Sequence, residues 1–248
     1  MRINVDDAGL HQDVNAAIFS LLKSNKIDSI SIMANGQAIR ELANLSFDQI
    51  WINLHFCIVD SEKAISANST IVDSNGRFLS RNQIFWKILI HPKRSLAQIG
   101  IEATAQLKKL QELGFKVNGI DSHQHIHFYP PIFFYILKFA KKNNLSIRIL
   151  KFPFAFRRID SLLLMPIVHF DLFWAKLMKS KFHYAVGFEK SGHLGKRKLI
   201  QYQSNPNASE LFAHPAISTD DLSLKYKHWK YNWNQEYQTL MNNERRDR

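Results

Sequence analysis

The chain contains a single cysteine, Cys57, among its 248 residues. One thiol cannot form an internal disulfide or a cysteine-based zinc site, and this usage is expected of a reducing, cytoplasmic setting. Glycine is scarce too, at nine residues, and there is no glycine-rich loop of the kind that cradles phosphates. That weighs against phosphate chemistry. Nor is there an uninterrupted apolar run long enough for a bilayer. The most apolar stretch, Leu162 to Leu177, is broken by Pro166, His169, Asp171 and Lys176. It reads as a buried or interfacial helix, not a membrane span. The strand-like run Arg2 to Val5 begins at once, so no apolar signal-peptide region is expected ahead of it.

Acidic residues are outnumbered, 21 against 33 Lys and Arg, giving a net charge of +12. Such a balance invites nucleic acid or an anionic membrane surface. The basic clusters are short and scattered, however: Lys93-Arg94, Lys108-Lys109, Lys141-Lys142, Arg157-Arg158 and Lys196-Arg197-Lys198. They read as solvated helix faces, and nucleic acid is not the expected partner. With 46% hydrophobic residues the chain can bury a sizeable core. No linker or composition shift divides it, so residues 1–248 are expected to form one domain.

What is abundant is histidine at regular spacing. Gly119-Ile120-Asp121-Ser122-His123-Gln124-His125-Ile126-His127 places an aspartate and three histidines two residues apart. On a β-strand such residues share a face, so Asp121, His123, His125 and His127 are expected to point together, opposite Ile120 and Ile126. Four ionisable groups on one side of a strand suit a metal centre better than a core. The plainer alternative is a solvated strand end.

Strand-like runs alternate with helical periodicity along the rest of the chain. Arg2 to Val5 runs into Asp6-Asp7, and Gln49 to Phe56 carries His55 near its end. Val117 to His127 is the histidine strand, and Glu210 to Pro215 carries His214. This alternation predicts a parallel α/β architecture, its seven strands fitting an irregular (β/α)7 barrel with its site at the C-terminal ends of the strands. Trp229, Trp233 and Tyr237 recur every four residues. They predict a C-terminal helical extension, about 225–245, that docks an aromatic stripe on the domain.

Separate strand ends thus deliver an aspartate pair, one histidine, a histidine cluster and another histidine. One carboxylate with two imidazoles would hold a catalytic metal with positions left open for water. A second carboxylate would take the proton from that water, and a histidine opposite would protonate the leaving group. The set is complete for metal-assisted hydrolysis of an amide or ester.

Several blocks also resemble the YdjC-like family of carbohydrate deacetylases over most of the chain. Ile3-Asn4-Val5-Asp6-Asp7-Ala8-Gly9-Leu10 with Asn15, Asn53-Leu54-His55-Phe56, Ile120 to His127, Arg148, Gly187 with Ser191-Gly192, and Glu210-Leu211-Phe212-Ala213-His214-Pro215 carry the resemblance. It implies a TIM-barrel-like fold and divalent-metal-dependent removal of acetyl from an N-acetylated sugar or glycan, by attack of a metal-bound water. It implies Asp7, His55 and His123 as metal ligands, Asp6 as general base and His214 as general acid. Asp121 and Arg148 would orient the site, and His125 and His127 would line the pocket or brace its loop. The resemblance implies magnesium, whereas two imidazoles and a carboxylate suit zinc or another transition ion. Two residues depart from the family pattern: Ala8 stands where an aromatic is usual, which would widen the site, and Asn53 replaces a glycine, which would reshape a strand end.

Competing readings are a metal-dependent hydrolase of a phosphoester or another amide, and a non-catalytic binder of an anionic glycan, lipid headgroup or nucleic acid. A homodimer is left open. The loop Cys57 to Ser80 and the aromatic segment Phe152 to Phe156 are expected to set substrate choice.

Overall fold

The computed structural model describes residues 1–43, 49–60, 62–66, 70–151, 159–188 and 191–244, with the side chains of 159–164 left aside. The segment Phe152 to Phe156 therefore lies outside the described residues.

Seven parallel strands close into a barrel in sequential order, β1 pairing with both β2 and β7. They are β1 (Arg2–Ala8), β2 (Ser29–Ile32), β3 (Trp51–Phe56), β4 (Gly119–Ser122), β5 (Ser146–Leu150), β6 (Phe182–Val186) and β7 (Glu210–Ala213). Helices pack outside the barrel: α1 (Gln12–Lys23), α2 (Ile39–Leu42), α3 (Arg81–Ile90), α4 (Pro92–Glu112), α5 (Pro130–Lys142), α6 (Ile159–Leu177), α7 (Lys196–Gln203), α8 (Asp220–Lys225) and α9 (Trp233–Met241). The expected α/β barrel is the observed one. Helices cover the strands, so most strand residues are buried on both faces, while Phe182 and Tyr184 of β6 stay half-buried. Ile3, Val5, Ile30, Ile52, Leu54, Ile120, Ile147 and Leu211 supply the apolar layer between sheet and helices.

Local chemistry sets several boundaries. Ser80 caps α3 with a reciprocal bond to Gln83. Pro92 starts α4 after the turn at His91, and Pro130 and Pro131 occupy the first turn of α5. Asn53 does not disturb its strand, since β3 stays in register with β4 through Asn53↔Gly119 and His55↔Asp121. Gly119 makes room for it: a Cβ there would lie 2.3 Å from Asn53 Oδ1. The amide accepts from Trp51 Nε1 at 2.7 Å and donates to Ser31 Oγ at 3.3 Å.

The histidine stretch departs from expectation. β4 ends at Ser122, and His123–Phe128 form a 3-10 turn in which Gln124 and His125 have φ of 50° and 52°. The period-two alternation stops there, so the three histidines do not share a face. The aromatic stripe is likewise broken. Trp229 ends a separate 3-10 turn, left-handed Lys230 follows it, and α9 begins only at Trp233. α9 buries Trp233 and Leu240, and its Tyr237 hydroxyl meets Ser20 Oγ on α1 at 2.8 Å.

Candidate active site

Consecutive residues of a regular strand point to opposite faces, so Asp6 and Asp7 should diverge. They converge because the β1–β2 register shifts between Val5 and Ala8, with Asp7 in the left-handed region at φ 62°. Aspartate tolerates that conformation better than most residues. The bulge turns both carboxylates, fully buried, into the C-terminal end of the barrel.

His55 comes from β3 and His123 from the first residue after β4. His55 Nε2 lies 3.1 Å, and His123 Nδ1 2.9 Å, from the same Asp7 oxygen. One ligand atom from each of Asp7, His55 and His123 falls within a 4.8 Å group. The other Asp7 oxygen is buried with no hydrogen-bond partner among the described residues. Behind His55, Nδ1 meets Asp121 at 2.6 Å, which leaves Nε2 toward Asp7. A carboxylate on the rear nitrogen is the usual support of a ligating histidine. Burial works against charging these rings, but Asp121 pushes His55 up to about 10. Asp7 and Asp60 do the same to His123, up to about 9. The carboxylate field that favours a proton there favours a metal cation equally, and the donor set fits a divalent ion.

Arg148, on β5, lies fully buried along the barrel interior. Its Nη1 and Nη2 each meet an Asp6 oxygen at 2.8 Å. The guanidinium also reaches Asp121 at 2.7 Å and Glu210 at 2.8 Å. Burial alone would raise the Asp6 carboxyl, but Arg148 and His55 hold it well below the usual carboxylate range. Glu210 is held at about 2 against its own burial by Arg148 and His183. Ser31 completes the network, donating to Asp121 at 2.6 Å.

His214 Nε2 stands 3.7 Å from Asp6 Oδ2. Burial lowers the pKa of its ring, which is therefore neutral near pH 7. The other histidines lie apart from this group. His127 binds Ser122 Oγ at 2.5 Å and the Arg148 carbonyl at 3.1 Å, bracing the turn. Burial, with Arg148 nearby, pushes it down to about 3. His125 packs against Phe128, Phe188 and Phe212 and borders an apolar cavity.

Sequence reasoning missed the wall opposite. Asp60 Oδ2 accepts from Gln124 Nε2 at 2.8 Å and from the Trp229 indole, and lies 3.4 Å from His123 Nε2. The Trp229 ring sits 4.8 Å from His123, and Tyr231 4.8 Å from His214. Glu236 on α9 accepts from Leu194 N at 2.7 Å and from His214 N. Burial pushes this carboxyl up to about 7. Only the aromatic spacing hinted at this segment, and it pointed to packing.

A model of the YdjC-like protein family matches residues 1–248. The chain belongs to that family. It is the family its motif blocks resemble. Against a carbohydrate deacetylase of Geobacillus stearothermophilus the chain is 28% identical over 148 residues, 59% of this chain and 58% of that one. For a carbohydrate deacetylase of Oceanobacillus iheyensis the figures are 28% over 150 residues, 60% and 64%. For one of Clostridium beijerinckii they are 26% over 152 residues, 60% and 59%. The matches thus span less than two thirds of these relatives' own length. A crystal structure of a candidate cellobiose-phosphate cleavage protein from Enterococcus faecalis V583 superposes with a TM-score of 0.74 at 19% identity. It covers 97% of this chain and 90% of that one and shares its fold.

Proposed function

We propose that the protein is a metal-dependent carbohydrate deacetylase that removes the acetyl group from an N-acetylated sugar or glycan. The observation that carries this reading is the convergence of Asp7, His55 and His123 beside the Asp6–His214 pair at the open end of the barrel. The names of the YdjC-like relatives support the substrate class.

Asp7, His55 and His123 would hold one divalent ion, which when bound lowers the pKa of water and polarises a carbonyl oxygen. Asp121 keeps His55 in the tautomer that presents Nε2. Asp6 receives the proton of the attacking water. Arg148 keeps Asp6 ionised and fixes its direction through two parallel hydrogen bonds. His214, neutral at rest, relays that proton to the departing amine nitrogen as the amide C–N bond breaks and a C–O bond forms. Water's oxygen ends in acetate, and the sugar leaves as the free amine. The tilted rings of Trp229 and Tyr231 offer apolar walls for a sugar face. The donor set favours zinc or another transition ion over the magnesium implied by resemblance.

The test is acetate release from N-acetylglucosamine oligosaccharides, measured with chelator and after restoring single divalent ions. Asp6→Asn should abolish release while leaving metal affinity intact. Release that persists in chelated protein would overturn metal dependence, and turnover of a phosphoester panel instead would overturn the deacetylase assignment.

A further inference from the structure

Beside the barrel mouth, α3 and α6 both meet solvent with large apolar side chains. α3 buries Ile84 and Ile88, yet leaves Phe85, Trp86, Leu89 and Ile90 exposed by 40, 57, 57 and 64%. A helix apolar on nearly every side is normally covered. On α6, Phe173 and Leu177 are exposed by 59 and 58%, with Phe170 beside them. Scattered apolar residues are ordinary on a surface, but clusters of this kind mark contact sites.

α3 and α6 flank a common cavity of about 290 Å³. Phe85, Ile126, Tyr129, Ile132, Val168 and Phe188 are among the residues that line it, and it reaches His125 at the turn after β4. The Phe85 ring lies 5.0 Å from Tyr129.

Basic residues predominate along α3 to α5, with Asp160 at the start of α6. From Arg81 to Ile101 the chain has no acidic residue, and it carries Arg81, Lys87, Lys93 and Arg94. None occurs from Ser122 to Ile159 either, where α5 contributes Lys138, Lys141 and Lys142. Asp171 on α6 is buried, and burial pushes its carboxyl up to about 8, so it adds no negative charge at neutral pH.

We propose that the α3–α6 face docks on an anionic lipid bilayer, its apolar side chains entering the interface and the cavity receiving an acyl chain. Apolar residues ringed by cations are what an interfacial helix presents to such a surface. A second copy of the chain is a poorer occupant, because a two-fold contact would set this basic surface against itself. Nucleic acid would match the charge and leave Leu89 and Ile90 without a partner. The inference rests on the surface, not on the deacetylase reading.

The intact protein can be centrifuged with vesicles of phosphatidylcholine containing about one third phosphatidylglycerol, against pure phosphatidylcholine. It is expected to pellet with the anionic vesicles and to release as salt rises. The triple variant Trp86→Ser, Leu89→Ser, Ile90→Ser should lose most of that binding. Its circular dichroism and its metal affinity should match those of the parent. No pelleting at low salt, or a triple variant that pellets like the parent, would overturn the proposal. So would a solution dimer that the triple variant splits while vesicles are ignored, since a second copy would then cover the face. Metal affinity and acetate release are read separately, so the deacetylase reading stands or falls by itself.

Discussion

Arg148 inside the barrel and Asp171 on α6 are both fully buried ionisable groups, and they meet opposite conditions. Arg148 is held by Asp6, Asp121 and Glu210 at 2.7 to 2.8 Å and stays charged. Neither oxygen of Asp171 has a hydrogen-bond partner among the described residues, and burial pushes its pKa up to about 8. Burial alone therefore does not set the charge state; the partners do. The barrel interior spends its buried charges on orienting a site. The outer helix keeps its acid neutral beneath an apolar surface.

The comparison breaks hardest at Arg148. Arg148→Met would leave three carboxylates buried without their cation, and removing one partner of a buried ion pair costs about 3–5 kcal/mol. Urea unfolding should show a loss of at least that size, and a loss below about 1 kcal/mol would mean that the carboxylates find other partners.

A smaller effect is expected one step out from the proposed ligands. Asp121→Asn removes the carboxylate behind His55, and metal affinity by titration calorimetry should fall by about 10–100-fold. Unchanged affinity would show that Asp121 does not orient that ring.

The smallest effect lies on α6. A carboxyl whose folded pKa is raised contributes stability that is present below its unfolded pKa and is lost as pH rises through its folded one. For Asp171 that window runs from its ordinary value of 3.8 to about 8. Asp171→Asn should flatten the decline of Tm across that range and be the more stable protein at its upper end. An identical pH dependence in parent and variant would show that Asp171 is partnered or hydrated.

Much of this was legible in the chain. Alternating strands and helices, with polar residues at strand ends, pointed to the barrel and to an aspartate pair and histidines at its mouth; the family resemblance singled out Asp7, His55 and His123, which lie together in the structure. The shared face of the histidine stretch was misread. Alternation requires extended backbone, and Gln124 and His125 leave it at positive φ. Asp60, Trp229 and Glu236 were out of reach for another reason. Asp60 and Trp229 lie 63 and 106 positions along the chain from the His123 ring they meet, and Glu236 reaches His214 through a helix whose packing no local pattern encodes.

The sequence by itself determined the alternation of strands and helices, the barrel class and the supply of carboxylates and imidazoles, because these follow from residue type and spacing. Only the tertiary structure decided which of them meet. Barrel closure sets β7 beside β1, and the left-handed Asp7 turns two adjacent carboxylates inward. The turn at Gln124 and His125 sends one histidine to Asp7, one to the cavity and one to the barrel wall. The Asp7–His123 contact joins residues 116 positions apart, and no local pattern encodes it.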